Sequence, residues 1–194
     1  ILRHGSKDLG SHTLEGSRPG KALLVHAGLS IIGRKGYELL IDLGIERART
    51  FAGLIRRHPA FELTSEPELN ILTYRYCPEA VREALARATA AQRDAINAVL
   101  DQVNLLLQKE QREAGKTFVS RTRLRVPRYD RQEITVLRVV LANPLTTDEL
   151  LAAVLEEQCD IVQQEEIRDL LLEVDRLCAE IGGASTTSSC VGAG

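Results

Sequence analysis

The sequence has no methionine and no tryptophan, and only four tyrosines and three phenylalanines among its 194 residues. So few aromatic rings exclude the stacking platforms with which single-strand nucleic-acid binders hold bases. Charge of one sign is also missing. The balance of 25 Lys plus Arg against 27 Asp plus Glu gives a formal net charge of -2, without the basic excess of a nucleic-acid module. No apolar run approaches the ~20 residues of a membrane span, and the opening residues do not read as a signal peptide. The missing methionine includes position 1, and a Met-free chain of this length is uncommon. The expectation is that Ile1 is not a biological start and that the chain is the C-terminal piece of a larger protein.

Metal and nucleophile patterns are lacking too. The four cysteines, Cys77, Cys159, Cys178 and Cys190, contain no CxxC pair, which excludes the common zinc and redox spacings. Free cysteines of this kind fit a reducing, cytoplasmic setting. The histidines His4, His12, His26 and His58 show no HExxH spacing, so no metal is expected. There is no GxSxG around the serines, no P-loop and no dinucleotide fingerprint. Lysine is scarce, at positions 7, 21, 35, 109 and 116. The positive charge is therefore mostly arginine, whose planar fork suits carboxylates and phosphates.

What is present is a helix–helix, β–β, helix, β–β, helix order. Residues 1–20 are polar and rich in turn formers. From Lys21 to Ile32 an apolar run predicts a helix that is apolar nearly all round and needs cover on several sides. Gly33-Arg34-Lys35-Gly36 breaks it, and a second helix follows over 37–57 until Pro59. Phe61–Thr64 and Asn70–Tyr76 read as strands. Pro78 opens one long helix to about Ala114, with Gly115 as its stop. Strands follow over 117–126 and 134–142. Thr147, with Asp148 and Glu149 behind it, caps a final helix to about Ile181. The fold class is α/β, taking in this stretch an α+β form: an antiparallel sheet backed by helices. The expected division is 1–58 as the end of a larger domain with connecting helices, 59–181 as a small C-terminal α+β domain, and 182–194 as a disordered tail.

Two places carry chemistry. Arg138 interrupts the apolar strand Ile134–Leu141, with Val136 and Val140 on its own face. A buried guanidinium is costly unless paired. A structural ion pair, a solvent-facing slot and an anchor for a substrate carboxylate all remain open for it. The second place is Gly16-Ser17-Arg18 ahead of the first helix. Backbone N–H groups and a fixed cation could hold an anion there, or it is a plain Gly-rich turn with a cap.

The run Gly5-Ser6-Lys7-Asp8-Leu9-Gly10 with Thr13-Leu14-Glu15-Gly16-Ser17-Arg18, and the run Leu137-Arg138-Val139-Val140-Leu141-Ala142-Asn143-Pro144, resemble the C-terminal third of the group II pyridoxal-phosphate decarboxylases. Within that family, the Ser6-Lys7-Asp8-Leu9-Gly10 and Leu14-Glu15-Gly16-Ser17-Arg18-Pro19 wording and the Ser120-Arg121-Thr122-Arg123 stretch most resemble the bacterial branch acting on aspartate. The resemblance covers about residues 1–160. It implies a type I aminotransferase-like fold, pyridoxal 5'-phosphate as cofactor, a homodimer, and conversion of L-aspartate to β-alanine and CO2. Glutamate and diaminobutyrate are alternative substrates, and a non-catalytic small-domain interaction module is the alternative of another class. The resemblance implies that Arg138 holds a substrate carboxylate. It implies that Gly16 and Ser17 lie near a cofactor, that of the partner subunit included, and that Arg18 lies at the interface. The family's cofactor-bearing lysine directly follows a histidine, and no His-Lys pair exists in this chain. The expectation is therefore that the lysine lies upstream and that this stretch is inactive alone.

Overall fold

The computed structural model describes residues 19–183. The calls on Gly16, Ser17 and Arg18, and on the tail from residue 184 onward, lie outside the described residues. The chain divides into two compact units, one up to Leu40 and one from Ile41.

In the first unit the described residues are almost all helix. Helix α1 spans Lys21–Arg57 and is interrupted at Gly33, whose φ of 69° and ψ of 173° are not helical. A positive φ is tolerated there because glycine has no Cβ, so the expected break falls at the first residue of the Gly-Arg-Lys-Gly run. The expected cover does not appear. Leu24 and Ile31 are 73% and 84% exposed, because the described part of this unit holds no second element to pack on them.

The second unit is a four-stranded antiparallel sheet with helices. Strands β1 (Phe61–Ser65), β2 (Ile71–Tyr76), β3 (Ser120–Arg125) and β4 (Glu133–Val140) lie in the order β1-β2-β4-β3. Two expected long helices are each split. The first becomes α2 (Glu79–Arg87) and α3 (Ala90–Ala114). Ala88 is extended, and Thr89 forms a capping box with Gln92: Thr89 Oγ1 accepts the Gln92 N–H, and Gln92 Oε1 accepts the Thr89 N–H at 3.0 Å. This reciprocal cap starts a new helix where the 3.6-residue pattern alone runs straight on. The last helix likewise becomes α4 (Asp148–Ile161) and α5 (Glu165–Gly183). Its predicted cap holds, with Thr147 accepting from the Leu150 N–H at 3.3 Å.

The α+β unit takes in residues ahead of position 59. Ala48, Phe51, Ala52 and Ile55 of α1 are fully buried in the same core as Leu72, Tyr74, Leu137, Leu151 and Leu155. Three edge-to-face ring contacts tie that core together: Phe51 with Tyr74 at 5.5 Å, and Phe61 with Tyr74 and Tyr76 at 5.8 and 5.6 Å. Gly44 shows how close α1 comes: a Cβ there would meet the Leu141 carbonyl at 2.9 Å. A second core joins α2, α3, α5 and β4 through Val81, Leu85, Ile96, Leu100, Ile134, Val136 and Val174.

Helix α3 also replaces part of the sheet. The β2–β4 ladder runs only from Ile71↔Val140 to Tyr74↔Leu137. Beyond it, Asn104 accepts the Tyr76 N–H at 2.8 Å and donates to the Tyr76 carbonyl at 3.1 Å. Asp101 accepts the Thr135 N–H at 2.7 Å. Helix side chains thus satisfy backbone groups that a neighbouring strand would otherwise pair.

Candidate functional site

Register decides what surrounds Arg138. Residue pairs across antiparallel strands share a face. Thr73 of β2 and Ser120 of β3 both stand opposite Arg138, and Ser65 of β1 stands opposite Thr73. One row, Ser65–Thr73–Arg138–Ser120, therefore crosses all four strands. A bulge between Leu63 and Ser65 adds Thr64 to it. The extra residue of a bulge re-aims side chains, and here two hydroxyls converge on one: Thr64 Oγ1 and Ser65 Oγ each lie 2.8 Å from Thr73 Oγ1. Ser65 Oγ also accepts the Thr73 N–H at 3.0 Å.

Ser120 holds Arg138 twice. Its hydroxyl donates to the Arg138 carbonyl at 2.8 Å, and its oxygen accepts the Arg138 Nε–H at 3.2 Å. The guanidinium is exposed, and no carboxylate among the described residues pairs with it. The face it occupies is mixed. Val136 is fully buried, whereas Val140 is 50% and Ile71 46% exposed. The expectation that this face is not simply solvated therefore holds toward Val136 and fails toward Val140. The cost of burying a charge does not bear on Arg138.

It bears on Arg75, which sequence reasoning passed over. Arg75 is fully buried. Its Nε donates to Glu62 Oε2 at 2.7 Å and its Nη1 to Asn97 Oδ1 at 2.8 Å, while its guanidinium carbon lies 4.8 Å from the centre of the Tyr129 ring. The Tyr129 hydroxyl donates to Glu62 Oε1 at 2.7 Å, and Arg128 pairs with the same oxygen. Burial pushes the Glu62 carboxyl up, but Arg75, Tyr129 and Arg128 together outweigh it and hold it below its ordinary value. Burial pushes the neighbouring Cys77 thiol up to about 12, so it stays protonated and unreactive. The Arg75 network is enclosed and nearly saturated, with only Nη2 unpartnered. It joins β1, β2 and α3, and the open cation is the one in the four-strand row. A charged residue within strand alternation is the signal that both arginines share. What separates them is what surrounds each one: Glu62 across the ladder, Asn97 of α3 and the Tyr129 ring enclose Arg75, while Ser120 is the partner of the Arg138 side chain.

Pyridoxal phosphate requires a lysine held in an enclosed pocket. The described lysines, Lys21, Lys35, Lys109 and Lys116, are all exposed. Among the described residues no lysine is enclosed in this way. Among the described residues there is also no cluster of metal ligands and no helix long and apolar enough to cross a membrane.

No family model matches the chain. Individual relatives do. Over 167 residues, 86% of this chain, it is 56% identical to an aspartate 1-decarboxylase of Aliivibrio fischeri. The chain belongs to the group II pyridoxal-phosphate decarboxylase family. A second decarboxylase of the family, an aromatic-L-amino-acid decarboxylase of Bacillus atrophaeus, is 28% identical over 145 residues, 75% of the chain. The chain spans 30% and 26% of the lengths of these two relatives. Solved structures share the fold. Mouse CSAD in its apo form matches with a TM-score of 0.62 at 20% identity, over 81% of this chain and 33% of that one. Oryza sativa TDC, solved with PLP and tryptamine, matches with a TM-score of 0.56 at 18% identity, over 80% and 29%. The expected α+β unit, an antiparallel sheet backed by helices, is thus the form that this decarboxylase fold takes in the present chain.

Proposed function

We propose that this chain is part of a pyridoxal-phosphate-dependent amino acid decarboxylase acting on L-aspartate, and that Arg138 receives a carboxylate of the substrate. The observation that carries the site is the open guanidinium of Arg138, anchored through Nε by Ser120 and without a carboxylate among the described residues. The 56% identity to an aspartate 1-decarboxylase supports the choice of aspartate. An arginine fork binds a carboxylate through two parallel N–H···O bonds, which fixes orientation as well as position. In this reading the strand row supplies orientation, and the cofactor is held by residues other than those described. The products are β-alanine and CO2, and the active protein is a homodimer.

The test is Arg138→Ala in the complete enzyme. Loss of one bidentate, charge-assisted contact corresponds to on the order of 2–4 kcal/mol, roughly a 30- to 1000-fold drop in kcat/KM for aspartate. Cofactor absorbance should be retained. Unchanged turnover of aspartate would exclude the assignment. Arg138→Lys should recover only part of the loss, because a point charge lacks the fork. Glutamate, one methylene longer, is the comparison substrate, since a pocket discriminates a methylene by only about 1–3 kcal/mol.

A further inference from the structure

We propose that Ser120 is the positioning residue for Arg138 and sets which edge of the guanidinium faces the substrate carboxylate. This rests on the carboxylate role given to Arg138 above. A guanidinium offers a carboxylate two forks: a side fork made of Nε–H with one terminal N–H, and an end fork made of the two terminal nitrogens. Ser120 Oγ occupies Nε at 3.2 Å, which removes the side fork. The end fork, Nη1 with Nη2, is what remains. The same hydroxyl spends its own proton on the Arg138 carbonyl at 2.8 Å. Its oxygen is thereby turned toward Nε as an acceptor and cannot turn away without losing a second bond. Both bonds lie within one opposed residue pair of the β3–β4 ladder. The long side chain is thus referenced to the backbone of its own strand. Holding a flexible side chain in its bound orientation reduces the ordering cost of binding.

Ser120 touches Arg138, and in this role its effect on the substrate passes through Arg138. The decisive experiment is a double-mutant cycle in the complete holoenzyme. It is read as KM and kcat for aspartate and as calorimetric binding of succinate, a four-carbon dicarboxylate without the reacting amine. Ser120→Ala should raise KM and weaken succinate binding roughly five- to tenfold, the scale of one net hydrogen bond, with kcat changed by less than about twofold. Ser120→Thr keeps the hydroxyl and should restore most of the binding. In an Arg138→Ala background, Ser120→Ala should add nothing. If Ser120→Ala costs the same with and without Arg138, or leaves both KM and succinate binding unchanged while Arg138→Ala abolishes them, the positioning role is overturned and the carboxylate role of Arg138 stands. If Arg138→Ala itself leaves succinate binding intact, both proposals fall together.

Discussion

Two arginines in two apolar strands have opposite situations, and the difference is a matter of which residue lies across the ladder and what packs over it. Arg138 faces hydroxyls and solvent. Arg75 faces Glu62, with 0% and 2% of their side chains exposed and 2.7 Å between the charged atoms. Removing one partner of such a pair leaves an uncompensated buried charge, at a cost of about 3–5 kcal/mol. Glu62→Gln should therefore lower the unfolding free energy by that amount near neutral pH, measured by urea denaturation. The pH dependence has a definite sign. The folded-state pKa of Glu62 lies below its unfolded value. Its contribution is therefore complete above the unfolded carboxylate range and is lost as pH falls through the lower folded value. The stability gap between the natural protein and Glu62→Gln should close on acidification. A gap that stays constant to low pH would show that the charge of Glu62 is not what stabilises the network.

The secondary-structure elements carry their own logic, and most of it is local. Thr89-x-x-Gln92 and Thr147 mark helix starts by chemistry that a short window contains. Helical periodicity ran on through both joints because Ala88 and Val162–Gln164 do nothing to interrupt an apolar stripe. Thr89→Ala removes one half of the capping box and should destabilise the α+β unit by about 1 kcal/mol. Thr89→Ser should be nearly neutral. Equal melting temperatures for Thr89→Ala and the natural protein would mean that packing alone sets the start of α3. The substitution of Asn104 and Asp101 for a strand partner is of another kind. No local pattern announces that a helix side chain will bond the N–H and the carbonyl of Tyr76.

At the scale of the whole molecule, the unit up to Leu40 presents large apolar side chains, among them Leu23, Leu24, Val25 and Ile31, to solvent. Exposed apolar area of this kind marks a surface that other residues cover, and the reading of residues 1–58 as the end of a larger domain gives the rest of that domain as the cover. Leu24→Glu combined with Ile31→Glu should therefore lower the melting temperature of the complete enzyme. An unchanged melting temperature would show that these side chains stay open to solvent there. The sequence by itself determined the element types, the break at Gly33, the Thr147 cap and the family, because propensity, capping and motif wording are local properties of the chain. It singled out Arg138 for the same reason, as a charge that breaks an alternation. Only the tertiary structure decided that Arg138 is open while Arg75 is enclosed, that Ala48–Ile55 belong to the sheet's core rather than to the segment before it, and that Ser65, Thr73 and Ser120 share a row with Arg138. The row depends on strand register, and a slip of one residue would move its side chains to the other face of the sheet; the burial of Ala48–Ile55 and of Arg75 depends on which helices and rings pack against that sheet.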